Sequence, residues 1–470
     1  MMKTNTLGEV RVCSSRSNFK PYLLALIILP LFSLASHSDT LKQSLQNAYN
    51  NSDELMLERM SVKEADESVA KAVAAKRFNL SASQSISSGY NYSPNCGGFC
   101  SSNSIGTSIS ASMPVLDGGR ADINIAIATS ALKAKRIGLI ETEQDVLLSA
   151  VTAYMNMRRS LEFVALEQNS VKLLTKEVQA AQDRFEVGEI TKTDISFAES
   201  RLEAAKGKLA SQIGNLEIAT EAYQMVIGIA PKELKDPPPT PDLPQTLNLA
   251  KLAAAKNHPT LRALKHAVEI ADLKLDLTRA NYKPTFSLAG EITDSSQTSK
   301  LSSNLSFGGR VVLYQGGARS SEERKALIAV EKARSNLIYQ TRRIQQAVAT
   351  RWSQLNIARA LIVANNKQIR AAETAYRGVR DEAEFGLRTT LDILDAEQSL
   401  MAAKVQLAST RRDEYVAAYE LLKSVGLLTV SNLNLDVDEY DVKRNYELVK
   451  DAPRKGQFFK FDNLLKKLGK

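Results

Sequence analysis

The amino-acid sequence predicts a mainly α-helical protein with a smaller β component, in which one structural unit occurs twice. Matching motifs recur at a constant spacing along the chain. Two short regions show the two-residue apolar period of β-strands. Segments 115–230 and 285–452 contain no proline, a residue that breaks helix interiors. Together these observations predict an elongated chain with two β-hairpins and unusually long helices.

The first 38 residues are predicted to form a signal peptide that is removed on export. Four basic residues precede an apolar run over 22–35, and serines follow at positions 36 and 38. A retained anchor helix is the alternative, but Pro30 and the short apolar run argue against it. No later stretch approaches the ~18 consecutive apolar residues of a transmembrane helix.

The formal net charge of +9 is concentrated at the two ends of the chain. The first 38 residues carry four basic residues and one acidic residue, and residues 443–470 carry nine basic and three acidic residues. The rest of the chain is close to neutral, which argues against nucleic acid as a partner. Residues 429–470 are interpreted as a C-terminal segment that ends in a solvated basic tail.

Repetition divides the chain into two units, 39–229 and 247–428. Their motifs match at an offset of 198 residues, so that Asp194 of the first unit corresponds to Asp392 of the second. Ahead of the Gly-Gly motifs the offset is 206 residues, which places eight extra residues in the first β-hairpin. The proline-rich linker 230–246 between the units is expected to be stiff and extended.

Each unit is expected to open with a helical stretch, over 40–77 and 247–283, followed by a β-hairpin, over 78–117 and 284–316. Apolar residues alternate with small polar residues in these hairpins, as in strands with lipid on one side and water on the other. A soluble antiparallel sandwich shows the same alternation and is the alternative. Four strands cannot close a barrel in a membrane without exposing backbone groups to lipid. Three chains with four strands each would make a barrel of twelve.

A very long helix is predicted to follow each β-hairpin. The first, over about 119–185, would be on the order of 100 Å long at 1.5 Å per residue. Turns near Gly188 and Gly386 would then reverse the chain into return helices over 192–229 and 391–428. The apolar residues of the long helices have coiled-coil spacing. A cytoskeletal coiled coil is the alternative, but it leaves the signal sequence and the β-hairpins unexplained.

Cys96 and Cys100 lie where the eight extra residues fall, and the first β-hairpin is therefore expected to have the longer tip. In an oxidising compartment, their separation with glycines between them permits a disulfide. A metal site is the alternative, but His258 and His266 are distant in sequence. No metal and no cofactor are predicted.

Several motifs at the helix turns and after the strands resemble those of the TolC family of outer-membrane channel-tunnels. The resemblance covers nearly all of the chain after the signal peptide. The matching runs are Arg-Phe-Glu-Val-Gly at 184–188, Thr-Asp at 193–194, Leu-Tyr-Gln-Gly-Gly at 313–317, Gly-Leu-Arg at 386–388 and Leu-Asp-Ile-Leu-Asp-Ala at 391–396.

This resemblance implies a homotrimeric α/β-barrel channel-tunnel: a twelve-stranded β-barrel in the outer membrane on a twelve-helix α-barrel in the periplasm. The linker and the C-terminal segment would wrap the tunnel. The implied partners are outer-membrane lipid, a periplasmic adaptor protein and an inner-membrane transporter that supplies the energy. Nothing in the chain indicates a nucleotide-binding loop or a catalytic nucleophile, so no enzymatic activity is expected.

The resemblance also implies roles for residues at the second helix turn. Asp392 and Asp395 match an acidic pair that forms a selectivity ring at the tunnel entrance in a trimer. Acidic residues in a first helical turn also complement the helix dipole, which is the plainer explanation. Arg388 and Asp194 match residues that latch the entrance closed. Ala383 departs from the family pattern, which often has an aromatic hydroxyl at this position, and part of the closing network is therefore expected to be absent.

The ends of the predicted helical hairpins are expected to bind the adaptor. These ends are Val187 with Gly188, and Phe385 with Gly386. Glycine allows a close approach of another backbone, although a glycine at these positions also simply permits the turn.

The sequence therefore predicts a passive exit duct of a tripartite export system. Type I protein secretion is favoured as its role, because the C-terminal run over 433–451 is similar to the tails of secretion-linked family members. Multidrug efflux is the alternative. A periplasmic adaptor and an extracellular structural coiled coil are less consistent with the duplicated hairpins.

Overall fold

The computed structural model describes residues 39–94, 97–296 and 300–450. Along the chain the elements are α1 Leu41–Asn51, α2 Asp53–Ala74, β1 Asn79–Ser93, β2 Gly98–Leu116, α3 Arg120–Glu186, α4 Lys192–Ile227, α5 Leu247–Asn257, α6 Pro259–Ala280, β3 Thr285–Ser295, β4 Lys300–Arg310, α7 Ala318–Glu384, α8 Thr390–Val425 and α9 Arg444–Val449. The predicted signal peptide, the residues of the tail after Lys450, and Cys96 of the predicted disulfide lie outside the described residues.

The duplication seen in the sequence extends to the lengths of the helices. Helices α1 and α5 have 11 residues each, and α2 and α6 have 22 each. The long helices α3 and α7 both have 67 residues, and the return helices α4 and α8 both have 36. Below, helical hairpin 1 is α3 with α4, and helical hairpin 2 is α7 with α8.

The helical stretches predicted over 40–77 and 247–283 are each two helices, which corrects the expectation of a single one. Ser52 separates α1 from α2, and its side chain accepts a hydrogen bond from the backbone N–H of Leu55 as an N-cap. His258 separates α5 from α6 because Pro259 disfavours helical geometry at the residue before it. The His-Pro pair is the signal in the sequence for this break between the two helices.

The strands form one antiparallel sheet in the order β1-β2-β3-β4. Strands β1 and β2 pair from Asn79 opposite Ser112 to Ser93 opposite Gly98, but β3 reaches only Gly106 of β2 with its Ser295. The eight extra residues therefore lengthen the strands, and the expectation of a longer loop at the tip is wrong. The inserted residues keep the strand-like alternation, and four residues separate the paired strands in both β-hairpins.

Strand β4 ends earlier than the predicted hairpin over 284–316. The last pair of the ladder is Thr285 with Arg310. Pro284 precedes β3 and has no N–H to donate, so pairing with β4 cannot continue past this point. Residues 311–315 follow as non-strand chain before α7.

The two faces of the sheet differ in chemistry. Serines pair across β1 and β2 with Oγ–Oγ distances of 2.8 Å for Ser81 with Ser110 and 2.6 Å for Ser87 with Ser104. Large apolar side chains, among them Ile86, Leu305 and Phe307, are exposed. Among the described residues, no helix is long and apolar enough to span a bilayer.

The main hydrophobic core lies where α1, α2, the linker and the C-terminal segment meet the middle of α3 and the C-terminal ends of α4 and α8. Tyr154 and Tyr223 are fully buried there. The Tyr154 hydroxyl donates to the backbone carbonyl of Lys235 at 2.6 Å, and the Tyr415 hydroxyl donates to that of Pro238 at 3.0 Å. The linker is thus hydrogen-bonded to α3 at Lys235 and to α8 at Pro238.

Candidate functional site

The candidate site is at the ends of the two helical hairpins, where each long helix turns into its return helix. The turn glycines Gly188 and Gly386 have φ values of 79° and 73°, a left-handed backbone that glycine adopts without strain. Thr191 precedes α4 and Thr389 precedes α8 as N-cap residues. The chain therefore reverses in the same way at both ends.

Asp194 and Asp392 have identical local roles in these turns. The Oδ2 atom of Asp194 accepts hydrogen bonds from the backbone N–H of Thr191 at 2.9 Å and from its hydroxyl at 2.7 Å. The Oδ2 atom of Asp392 accepts from the backbone N–H of Thr389 at 2.9 Å and from its hydroxyl at 2.8 Å. Each aspartate completes a capping box, which satisfies backbone donors at the helix start.

The capping bonds also lower the pKa of these two carboxyl groups. Hydrogen bonds from the side chain and the backbone of Thr191 lower the pKa of Asp194. The backbone N–H of Thr389, followed by its hydroxyl, lowers the pKa of Asp392. Within one chain, Asp392 is therefore stabilised as an anion, whereas crowding in a ring would raise its pKa.

Asp395, the other predicted ring residue, is held by an arginine from helical hairpin 1. One terminal nitrogen of Arg201 on α4 donates to Oδ1 of Asp395 at 2.9 Å. Its other terminal nitrogen donates to Oε1 of Gln398 at 2.7 Å. This two-point contact links α4 to α8, and the sequence patterns did not indicate Arg201.

The predicted latch residues lie beside the same cleft but do not bond to each other within one chain. Arg388 and Asp194 both line a cleft between the two hairpin ends. The Nε atom of Arg388 donates to Oε2 of Glu382 at 2.7 Å, and this contact raises the pKa of Arg388. The ion pair spans the turn of helical hairpin 2. Asp194 instead accepts the hydrogen bonds of its own capping residue, Thr191.

Ala383, which departs from the family pattern, is packed inside helical hairpin 2. It is only 6% exposed and lies in a small apolar cluster with Tyr376, Ile393 and Leu400. The equivalent residue in helical hairpin 1, Phe185, is 43% exposed. At this position helical hairpin 2 therefore has apolar packing in place of a side-chain hydroxyl.

The predicted docking ends are open to a partner. Val187 is 72% exposed and Phe385 is 82% exposed. A Cβ atom added at Gly188 or Gly386 would meet no atom within 4 Å, so the space beside both turns is free in the single chain.

A buried carboxylate above the turns was also not anticipated. Glu397 on α8 is 9% exposed and accepts a hydrogen bond from the hydroxyl of Ser170 on α3 at 2.9 Å. Burial is the largest influence on Glu397 and raises the pKa of its carboxyl group. Its position four residues after Ile393 and three before Leu400, on an apolar helix face, was the signal that could have revealed it.

The comparisons with known proteins agree with the duplicated architecture. A family model described as "Outer membrane efflux protein" matches residues 44–228 and 252–427, one segment in each unit. The outer membrane efflux protein BepC of Brucella suis biovar 1 (strain 1330) is 31% identical over 423 residues, which are 89% of this chain and 92% of BepC.

Two other similar proteins are an outer membrane protein and a secretion protein by name. The outer membrane protein TolC of Escherichia coli (strain K12) is 23% identical over 429 residues, 86% of this chain and 85% of TolC. The alkaline protease secretion protein AprF of Pseudomonas aeruginosa is 25% identical over 307 residues, 62% of this chain and 63% of AprF.

The fold itself is that of solved channel structures. The structure of CusC, studied for folding and transmembrane channel formation, superimposes with a TM-score of 0.72 at 18% identity and covers 83% of this chain and 92% of that chain. The chain thus has the α/β channel-tunnel fold predicted from the sequence. The chain belongs to the outer membrane efflux protein family and is a protein of the bacterial outer membrane.

Proposed function

We propose that this protein is a non-enzymatic exit duct that works as a homotrimer. The observation that carries the proposal is that both the sheet and the layer of long helices end in edges that no described part of the chain covers. Strands β1 and β4 each pair on one side only, and in the half of the helical layer away from the sheet the helices lie in the lateral order α7, α8, α3, α4. Unpaired strand edges cannot face lipid, so neighbouring chains must cover them.

The apolar surface of the single chain supports closure by further copies. Helix α4 exposes Phe197, Ile218 and Met225, and the half of α7 at the same level exposes Ile357 and Val363. These helices are the two lateral edges of the layer, so α4 of one chain is placed to pack against α7 of the next. Three such chains would give twelve strands and twelve long and return helices around one axis.

The chemistry of the sheet is consistent with a water-filled opening through a membrane. The exposed apolar residues suit contact with lipid, and the serine pairs across β1 and β2 suit contact with water. Nothing in the proposed function requires chemistry at the site, because a transporter in the inner membrane would supply the energy and this chain would supply the path.

We assign the gate of this duct to the ends of the helical hairpins. Asp395 and Asp392 would form the acidic ring, in which one oxygen of Asp392 remains committed to capping. Arg388 and Asp194 would act as latch residues toward neighbouring chains. Arg201 joins them as a link inside the chain, because its contacts with Asp395 and Gln398 must break before helical hairpin 2 can move away from helical hairpin 1.

The adaptor would bind at the exposed ends, Val187 with Gly188 and Phe385 with Gly386. Exposed apolar side chains next to a turn that no other residue covers can enter a pocket of a partner. Binding there would act directly on the turns that carry the gate residues.

The relatives support small-molecule efflux as the first candidate for the cargo class. BepC, an efflux protein by name, matches 89% of this chain at 31% identity, whereas AprF, a protease secretion protein, matches 62% at 25%. The C-terminal run that favoured type I secretion packs Leu435, Val437 and Tyr446 against the main core. Its residues are therefore explained by packing, and protein secretion becomes the second candidate.

A deletion strain tests both candidates in one experiment. We expect increased sensitivity to amphiphilic drugs with an unchanged set of secreted proteins. Loss of a large secreted protein with unchanged drug tolerance would instead establish the secretion role. Conductance of the purified protein in planar bilayers tests the duct itself, and a protein that forms no channel there would contradict the proposal.

A further inference from the structure

Positive charge is concentrated at the end of the sheet that joins the helices. Strands β1 and β2 contain no charged residue. They are flanked by Lys76, Arg77 and Arg120 against Asp117 and Asp122, of which Asp122 pairs with Lys76. The second β-hairpin is flanked by Lys283 and carries Arg310 at its last position, so the charge at this end is net positive. The sheet therefore has a basic belt on its helical side, where strands that cross a membrane would leave the hydrocarbon.

Part of this belt is a cleft, here called the junction cleft, between the α6–β3 connection and the chain after β4. Four basic residues line it, Arg120, Lys283, Arg310 and Arg319, together with one acidic residue, Glu322. Among the described residues, no acidic side chain forms an ion pair with any of the four basic ones. The cleft thus has an excess of positive charge.

Two of the guanidinium groups are held in fixed positions by neutral partners. Arg120 donates to the backbone carbonyls of Ala280 at 3.3 Å and Lys283 at 2.9 Å. Arg319 donates to the carbonyl of Val312 at 2.7 Å, and its guanidinium lies 5.2 Å from the ring centre of Tyr282. Carbonyls and an aromatic ring orient these groups without cancelling their charge, which preorganises the cleft for an anion.

An apolar surface adjoins the cleft on the side of the sheet. Val311 lines the cleft, and Leu313 and Tyr314 follow it with 89% and 85% of their surface exposed. Large apolar side chains next to fixed cations match a molecule with an anionic head and apolar tails. A tyrosine with its polar end toward water is also typical of the membrane interface.

We propose that the junction cleft binds the phosphodiester headgroup of an anionic phospholipid in the membrane leaflet that faces the tunnel. Arg120 and Arg319 would donate to the phosphate oxygens, and Lys283 and Arg310, which are exposed, would add electrostatic attraction. The acyl chains would lie along Val311, Leu313 and the apolar face of the sheet. Such a lipid would anchor the helix-to-strand junction at a fixed depth, independently of the cargo.

Titration calorimetry of the purified protein in a neutral detergent tests the assignment. The probes are dihexanoyl phosphatidylglycerol, dihexanoyl phosphatidylcholine and inorganic phosphate. We expect phosphatidylglycerol to bind on the order of 25-fold more tightly than phosphatidylcholine, since Lys283 and Arg310 should each contribute about fivefold in affinity. Equal affinity for the two lipids would overturn the proposal. Inorganic phosphate that binds as tightly as phosphatidylglycerol would overturn the assignment to a lipid.

A charge-neutral double variant, Lys283→Gln with Arg310→Gln, should abolish the preference for phosphatidylglycerol. The matched control is Arg342→Gln with Lys367→Gln, which removes two exposed charges from the middle of α7 and should keep the preference. Equal loss in both double variants would show unspecific attraction and contradict the site. If circular dichroism shows that the first double variant does not fold, Lys283→Gln and Arg310→Gln are tested singly, each with an expected loss of about fivefold.

Discussion

Helical hairpins 1 and 2 have helices of equal length, the same turn glycine and the same capping box, yet their return helices have different surroundings. Helix α8 packs against α3 of the other hairpin, while the corresponding face of α4 is open. Glu397 is consequently buried, and its counterpart Glu199 is exposed. Equivalent residues of the repeat thus differ in burial because α8 lies inside the helical layer and α4 lies at its edge.

The comparison also shows where the two hairpins carry different chemistry. Asp395 corresponds to Phe197, and Arg388 corresponds to Ile190. Glu382, the partner of Arg388, corresponds to Arg184. The ion pair across the turn therefore exists only in helical hairpin 2, and the carboxylate that Arg201 binds has no counterpart in helical hairpin 1. The residues proposed as the gate are therefore concentrated in helical hairpin 2.

The largest effect is expected from Arg201→Ser, which removes the link between the hairpins. A two-point exposed contact of this kind contributes up to about 1 kcal/mol per chain. Three chains in the proposed trimer would add to about 3 kcal/mol, a shift in the open-to-closed ratio on the order of a hundredfold. We expect a large rise in the open probability of single channels in planar bilayers. Lys192→Ser, which removes an exposed charge from the same helix, is the control and should leave it unchanged; equal effects of the two variants would refute the link.

A smaller effect of the same sign is expected from Arg388→Ser. It removes a single exposed ion pair whose attraction is screened by solvent, so the shift should be smaller than that of Arg201→Ser. Glu382→Gln should reproduce the result if the pair inside helical hairpin 2 is the functional one. Unchanged conductance in Arg388→Ser would exclude a latch role, and an effect of Arg388→Ser alone would point to Asp194 or a neighbouring chain as its partner.

Glu397→Gln tests the difference in burial between the two hairpins. Burial raises the folded-state pKa of Glu397 above its ordinary value of 4.5, so the folded chain binds this proton more tightly than the unfolded chain. The resulting stabilisation is complete below pH 4.5 and is lost as the pH rises through the folded-state pKa. Glutamine mimics the protonated form and can still accept the bond from Ser170. We expect a higher Tm at pH 7 and a weaker pH dependence of Tm than in the wild type.

The control for this prediction is Glu199→Gln, at the exposed equivalent position. It should change neither the Tm at pH 7 nor the pH dependence. If both glutamine variants behave alike, α4 and α8 have the same surroundings in the assembled protein, and the distinction between inside and edge is wrong.

The smallest effects are expected from the capping threonines, where the hairpins are alike. Thr191→Ala and Thr389→Ala each remove an N-cap, at a cost of about 1 kcal/mol. Hydrogen exchange of the amides in the first turns of α4 and α8 should accelerate about fivefold in each variant. A much larger change at α8 would show that Asp392 depends on Thr389 for more than capping.

The sequence by itself determined the repeat, the positions of the strands, the long helices and the turns, and the family. These features depend on local rules: the apolar period, the absence of proline, and glycine at left-handed turns. The eight extra residues were located correctly, but a longer loop was expected and longer strands are observed. Alternating small and aromatic residues are compatible with either.

Only the tertiary structure decided which side chains meet. Asp392 and Asp395 look like one acidic pair in the sequence, yet Thr389 holds the first and Arg201 holds the second. Arg201 and Asp395 are far apart along the chain, and no periodicity relates them. A direct contact of α4 with α8 brings them together, and the packing of α8 between α7 and α3 buries Glu397. A pattern in the sequence shows that a helix has a face to bury, but the neighbouring element that covers it is determined by the arrangement of the whole layer.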